Sequence, residues 1–343
     1  MPLCRLEERK LPVSPFNRTI GLDAATWKKI SKVGGGNHST FEDNLTSRPA
    51  MKEASRASIV VGFAAIYFIW GSTYLAIRLG VATIPPFLMA GVRFLVAGLA
   101  FMAWAKYRRA DGPTARDWLT TGLIGVLMAT GGNGLVTWAM QTVQSGLAAL
   151  LVSMVPFWVV MADWIKPEGR RPATRVIIGL VLGFTGVALL INPTDVGVRE
   201  IDAVGALTIV LASILWASGS IYSRHAPQPA SQALSSGMQM FGGGVVLMVL
   251  SAATGELTQL DWSAVSNTAL GGWAYVTVLG SVAYGSYLWL LKASTPTKAA
   301  TYAYVNPVIA LLLGYLVADE SLSIWTLGCS ALVVLAVLMV VSE

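Results

Sequence analysis

Residues 58–78 read SIVVGFAAIYFIWGSTYLAIR, and residues 204–224 read VGALTIVLASILWASGSIYSR. Each run is long enough to cross a ~30 Å hydrocarbon core as a helix. An offset of 146 lays one on the other: Trp70 falls on Trp216, Ser72 on Ser218 and Arg78 on Arg224. The same offset carries Gly91 onto Gly237, Arg93 onto Gln239 and Gly98 onto Gly244. Further along, an offset of 151 pairs Trp138 with Trp289, Ala148 and Ala149 with Ala299 and Ala300, and Pro156 with Pro307. Two consistent offsets over four pairs of apolar runs mark an internal duplication.

Such runs recur from Ser58 to the C-terminus. Spanning segments are expected at 58–78, 84–105, 118–139, 143–165, 174–192, 203–223, 233–253, 269–291, 298–318 and 322–341. Pro85–Pro86, Gly112–Pro113, Pro167, Pro193, Pro227 and Pro229 fall in the gaps, where a broken backbone costs nothing in lipid. The composition agrees: 55 % of the 343 residues are hydrophobic and 12 % charged, about half the charged share of soluble domains. Five segments per half is an odd number, so the second copy must enter the membrane from the opposite side. The fold expected is an all-α membrane protein, with ten transmembrane helices in two inverted five-helix repeats, residues 58–192 and 203–341. Residues 1–57 are polar, carry mixed charge and hold no apolar signal-peptide core. They read as a disordered cytoplasmic tail.

The charges test this count. Of the 24 Lys and Arg, ten precede residue 57. With the N-terminus in the cytoplasm, eleven more lie on the inner side, at Lys106–Arg116, Lys166–Arg175, Arg224, Lys292 and Lys298, and two, Arg78 and Arg199, on the outer. That is a strong positive-inside split, and it puts both termini in the cytoplasm. The net charge of +6 is spread over loops, so no nucleic-acid face is expected. Cys4 and Cys329 are too far apart in character and sequence to suggest a disulfide framework.

Several motifs resemble EamA-domain proteins of the drug/metabolite transporter superfamily, nearest to their YedA-like branch. They are Ile69-Trp70-Gly71-Ser72-Thr73-Tyr74, then Pro85-Pro86 and Ala90-Gly91-Val92-Arg93-Phe94. Gly132-Asn133-Gly134, Ser145-Gly146-Leu147-Ala148-Ala149 and Tyr302-Ala303-Tyr304-Val305-Asn306-Pro307-Val308 extend the resemblance over residues 58–343. It implies ten helices, two EamA halves and a central cavity lined by segments one, three, four, six, eight and nine. It also implies movement of amino acids, other small metabolites or drugs, often outward. One departure concerns acids: Asp319-Glu320 follows segment nine, whereas segment four is followed by Glu168-Gly169-Arg170-Arg171.

Polar residues inside the spans are the site candidates, because they are expensive there. Arg93 lies about seven residues into its helix, roughly 10 Å deep. It reads as a cation for a substrate carboxylate or an inter-helix anchor, and equally as an arginine bonded to carbonyls or snorkelling to headgroups. Thr130, Asn133, Thr137 and Gln141 share a helix face by their spacing, and Ser281 and Tyr284 are repeat mates of the first two. That stripe suits a wet cavity, or plain interhelical hydrogen bonding. Trp70 and Tyr74 share one face, as do Tyr302 and Asn306, and Trp216 mates Trp70. These aromatics can stack on a solute. Pro156 and Pro307 are expected mid-helix, as kinks or gating points. Gly179 and Gly183 form a GxxxG pair, for close packing or weak homodimerisation of an otherwise monomeric chain.

Inverted repeats point to a secondary transporter with its substrate near the midplane. A small-molecule solute and the lipid bilayer of the cell inner membrane are the partners expected. No HExxH, GxSxG or CxxC occurs, and the two histidines, His38 and His225, lie outside the spans, so neither catalysis, cofactor nor metal is expected. A substrate-gated channel or a polytopic sensor is the alternative class. Asp163 is the one carboxylate well inside a segment, near its end, so transport is expected to be facilitated or weakly proton-coupled.

Overall fold

The computed structural model describes residues 56–165, 171–191, 202–294, 299, 301–320 and 323–341. Almost all of the polar tail and the Glu168–Arg170 stretch lie outside them. Among the described residues there are helices and no strand. Seven are long and apolar enough to cross a membrane. They are α1 (Arg56–Gly80), α2 (Pro86–Tyr107), α3 (Ala115–Ala139), a fourth span over Ser145–Ala162, α7 (Ala203–His225), α8 (Gln232–Ala253) and α10 (Asn267–Ala293). The fourth span comprises α4 (Ser145–Val152) and α5 (Val155–Ile165). Shorter apolar helices are α6 (Thr174–Ile191), α11 (Tyr302–Val317) and α12 (Ile324–Val341), and α9 (Glu256–Gln259) is a single turn.

Local chemistry sets most helix starts. Thr114 and Asp117 form a reciprocal capping box on α3. Asp202, Ser231 and Ser266 each accept amide hydrogens from the first turn of α7, α8 and α10. Among the starts with no side-chain cap of their own are α2 behind Pro85 and α4 behind Gln144.

The most extensive helix-to-helix contact among the described residues, α2 against α8, joins the two repeats. A Cβ placed on Gly98 would stand 2.6 Å from the Phe241 amide nitrogen, and one on Gly244 would stand 2.9 Å from that of Leu95. A Cβ on Gly91 would meet Met248 Sδ at 2.8 Å, and one on Gly237 would meet Met102 Cγ at 2.8 Å. The offset of 146 converts each contact of a pair into the other, since 98 maps to 244, 95 to 241, 91 to 237 and 102 to 248. Residue numbers rise on α2 as they fall on α8, so the helices are antiparallel. That is the isologous pattern of a two-fold axis between them. Small residues matter here because lipid supplies no hydrophobic drive; close backbone approach does.

Three departures from regular helix fall in the first half. Ala65–Ile69 of α1 and Val126–Gly134 of α3 are π-helical. The repeat mates α7 and α10 are α-helical throughout. The fourth span breaks at Ser153 and Met154, so Pro156 is not mid-helix: it is the second residue of α5, where its missing N–H costs nothing. Pro307 does lie inside α11. Gly179 and Gly186 of α6 face Ala336 and Val333 of α12, so this small-residue face is used within the chain.

Gly98→Leu forces backbone apart at the seam, and overpacking without relief costs about 3 kcal/mol. The expected result is a fall of about 6–10 °C in the unfolding temperature of purified protein. Gly271→Ala, whose Cβ meets nothing within 4 Å, should leave it unchanged.

Candidate functional site

The centre of the bundle holds an aromatic box. Trp70 of α1 stands edge-on to Trp216 of α7, with centroids 5.5 Å apart and planes at 80°. It also contacts Tyr287 of α10 and Tyr302 of α11, each at 5.2 Å. Tyr287 closes the ring against Trp216 and Tyr302 at 5.6 Å each. Tyr284 backs Trp216 at 5.7 Å and Phe94 at 6.2 Å. Edge-to-face pairs of this kind add about 0.5–1.5 kcal/mol each beyond area burial.

Against the box lies a cavity of about 60 Å³. From the first repeat come Trp70, Thr73, Tyr74 and Ile77 of α1, Gly132, Asn133 and Val136 of α3, and Val152 of α4. From the second come Ala212, Ser213 and Trp216 of α7 and Tyr302 of α11. The volume holds a few waters; drug-sized ligand sites run to about 300–1,000 Å³. Trp216 Nε1 and the Tyr302 hydroxyl are both buried without a well-formed hydrogen bond.

The sequence candidates divide. Trp70, Tyr74, Asn133, Trp216 and Tyr302 line the cavity. Tyr284 is one layer behind, its hydroxyl donating to Gln239 Oε1 at 3.4 Å. The polar stripe of α3 does not stay together, because i→i+5 winding shifts residues spaced three and four apart. Thr130 turns to α8 and donates to the Gly243 carbonyl at 2.9 Å. Thr137 donates to the Asn133 carbonyl at 2.8 Å and is wholly buried. Gln141 is exposed beyond the helix end. Asn306 is not a cavity residue. With its amide oriented to satisfy both groups, Nδ2 donates to the carbonyls of Ile66 and Tyr67 at 3.2 and 3.1 Å. Those carbonyls belong to the π segment of α1, so Asn306 holds the irregular turn that carries Trp70.

Arg93 is 3 % exposed. Nη2 donates to Asn133 Oδ1 at 3.3 Å, and the guanidinium carbon sits 4.3 Å from the centre of the Phe94 ring. Nε and Nη1 have no partner. A helix-centre arginine costs about 2.5–3.5 kcal/mol, and each buried unpaired donor about 1–3 kcal/mol more. The offsets of 146 and 151 carry Arg93–Asn133 onto Gln239–Tyr284, so the same contact exists in both halves. Gln239 is better supplied: Nε2 also reaches Gln228 Oε1 at 3.1 Å and Ser235 Oγ at 3.2 Å.

Near one end of the bundle, carboxylates supply the missing caps. Glu256 Oε1 and Oε2 accept from Phe87 and Leu88 N–H at 3.2 and 2.7 Å. Glu320 accepts from Ser145 N–H at 2.7 Å, its hydroxyl at 2.9 Å and Gly146 N–H at 3.3 Å. A polar pocket of about 410 Å³ lies beside Glu256, Trp138 and Gln141. Sequence reasoning missed Tyr287 and Glu256. Tyr287 was within reach of it, three residues after Tyr284 on the same helix face. Glu256 was not, because nothing local links residue 256 to residue 87.

Residues 57–192 and 203–342 each match the EamA-like transporter family. Over 262 residues the chain is 38 % identical to the "Uncharacterized inner membrane transporter YedA" of Escherichia coli (strain K12), which spans 76 % of this chain and 82 % of that one. It is 24 % identical over 274 residues to the "Uncharacterized transporter YoaV" of Bacillus subtilis (strain 168), spanning 78 % of this chain and 90 % of that one. It is 27 % identical over 259 residues to "Protein PecM" of Dickeya dadantii (strain 3937), spanning 74 % and 82 %. A solved crystal structure superposes with a TM-score of 0.58 at 18 % identity, covering 83 % of this chain and 98 % of that one, a likeness of fold.

Asn306→Ala removes the two hydrogen bonds its amide makes to carbonyls of the π segment, so purified protein should lose about 1–3 kcal/mol of stability. Exchange per folded molecule should stay within about twofold of wild type, since 1.4 kcal/mol at the site would already be tenfold. Unchanged stability with abolished exchange would instead make Asn306 a solute ligand.

Proposed function

This chain belongs to the EamA-like transporter family, and from that premise we propose that it is a secondary exporter of small amino-acid-like or drug-like solutes. It is a multi-pass membrane transporter. In the fuller reading, ten spans form two inverted five-helix repeats in the inner membrane, with both termini cytoplasmic. The seven long helices and three shorter apolar ones support that reading of the count, and the loop charges support that reading of the orientation.

The observation that carries the reading is the cavity between Trp70 and Trp216. These are repeat mates, their rings stand 5.5 Å apart, and both repeats wall the space beside them. A solute held there touches both halves, so rocking one against the other exposes it to alternate sides. At about 60 Å³ the space must widen to admit a metabolite. Box residues on four different helices can part without any helix unfolding. Outward movement follows the direction that the sequence resemblance implies.

Counterflow in reconstituted vesicles, with a labelled amino-acid mixture and small aromatic dyes, tests the reading. Trans-stimulated exchange is expected of alternating access and not of a channel. Trp70→Ala and Asn133→Ala should each cut initial rates about tenfold, the equivalent of 1.4 kcal/mol, at normal protein yield. Unchanged kinetics in both variants would remove the cavity assignment. Strong uptake driven by a pH gradient would overturn facilitated exchange.

A further inference from the structure

Arg93 has more binding capacity than the protein uses. It is buried, one of its nitrogens reaches one amide oxygen, and two others make no hydrogen bond. Several described carboxylates are bonded elsewhere: Glu256 and Glu320 hold helix starts, Asp117 accepts from the Thr114 N–H and hydroxyl, Asp202 caps its own helix, and Asp261 bonds Ser263. The repeat mate shows that the scaffold does not need a charge at this position. Gln239 occupies the equivalent place as a neutral amide with partners in Gln228, Ser235 and Tyr284. A cation kept where a neutral amide suffices, and left short of acceptors, is suited to an acceptor that arrives and leaves.

We propose that Arg93 and Asn133 form the anion subsite of the transport site and receive the carboxylate of a monocarboxylate solute with an apolar or aromatic body, zwitterionic amino acids included. This rests on the transporter reading above. Position supports it. The Arg93 fork ends beside Asn133, which lines the cavity, and a Cβ on Gly280 would stand 4.0 Å from Arg93 Nη2 and 3.5 Å from the methyl of Thr73, another cavity residue. The guanidinium is planar and matches two carboxylate oxygens. An entering carboxylate takes the place of Asn133 Oδ1 as acceptor, and Asn133 Nδ2, now 3.5 Å from the Met128 carbonyl, is free to turn and donate to it. The body of the solute then lies among Trp70, Trp216 and Tyr302, whose ring faces also accept an ammonium. One guanidinium sets the charge at one carboxylate.

The test uses the full chain in lipid nanodiscs and four probes of one shape: 3-phenylpropionate, phenylalanine, phenylalaninamide and phenethylamine. The two carboxylates should raise the unfolding temperature, by about 5 °C at a hundredfold excess over Kd. The amide and amine should not. Arg93→Gln copies the residue of the other repeat and should fold. It should abolish the carboxylate shift, while unfolding without probe at or above the wild-type temperature. Arg93→Lys, a charge without the fork, should keep part of the shift. Equal shifts from amide and carboxylate, no carboxylate shift, or a full shift in Arg93→Gln would each overturn the proposal. So would an Arg93→Gln protein that unfolds well below wild type, since Arg93 would then be a structural anchor. A chloride titration giving the whole Arg93-dependent shift would replace the carboxylate with a halide and also overturn it. Counterflow separates the two readings. If vesicles exchange only the amine or amide, transport stands and the subsite falls. If none exchanges while the Arg93-dependent shift persists, the subsite stands and transport falls.

Discussion

The close approach of α2 and α8 governs the rest of the molecule. Lipid neither drives helices together nor fills a gap between them, so the contact distance depends on side-chain size. With Gly91 and Gly98 on one helix and Gly237 and Gly244 on the other, backbone meets backbone. Each contact has its image under the repeat offset, so the seam is also the symmetry axis. Neighbours inherit the spacing: Gly125 of α3 packs on Gln239 and Gly243 of α8, and Gly272 of α10 packs on the Ala76 carbonyl of α1. The cavity lies where α1, α3, α4, α7 and α11 come together around that frame.

On this symmetric frame the working parts are asymmetric. The π segments occur in α1 and α3, and their repeat mates are regular. A π turn widens the helical ladder to i→i+5 pairing, which leaves its carbonyls open to a side-chain donor from a neighbouring helix. Asn306 serves those of α1. The position of Trp70 therefore depends on a side chain 236 residues later in the other half. The charge pattern diverges the same way, with Arg93 opposite Gln239 at one structural position.

Much of this was legible in the sequence, and the limits have physical causes. Apolar length and the two offsets marked the duplication and paired Trp70 with Trp216, because identity survives where packing is shared; helix-face spacing singled out Tyr74, Asn133 and Tyr302. The α3 stripe failed because helical spacing presumes 3.6 residues per turn, and composition does not announce a π segment. Pro156 was misplaced because the break at Ser153 and Met154 precedes it, so the proline begins a helix rather than bending one. Asn306 was read from its helix face, whereas its partner carbonyls are backbone atoms with no sequence signal. Glu256 reaches across halves to cap a helix whose own start, Pro85–Pro86, offers no side-chain acceptor.

The two ends of the bundle are held by different chemistry. At one, Arg78 reaches the Met140 and Gln141 carbonyls, Asp202 accepts from Thr142 at 2.6 Å, and Glu256 and Glu320 hold the starts of α2 and α4. Glu256 and Glu320 lie in the second repeat and Asp202 directly before it, and the groups they bond here lie in the first. Near the other end the ties seen among the described residues are neutral: Thr120 donates to the Pro227 carbonyl across the halves at 2.7 Å, and within the second half Gln228 gathers Ser223, Ser235 and Gln239. A hydrogen bond to a charged group contributes about 1.5–3 kcal/mol and a neutral one about 0.5–1.5. Parting the halves at the carboxylate end breaks the costlier set and leaves the first turns of α2 and α4 uncapped, where α4 also forms part of the cavity wall. The geometry of a two-fold would make both openings equivalent; the carboxylates make one of them harder. Under the alternating access proposed above, a solute that drives that opening must contribute more in the cavity than the caps lose, and beside the cavity the guanidinium of Arg93 has two nitrogens without a hydrogen bond to offer it.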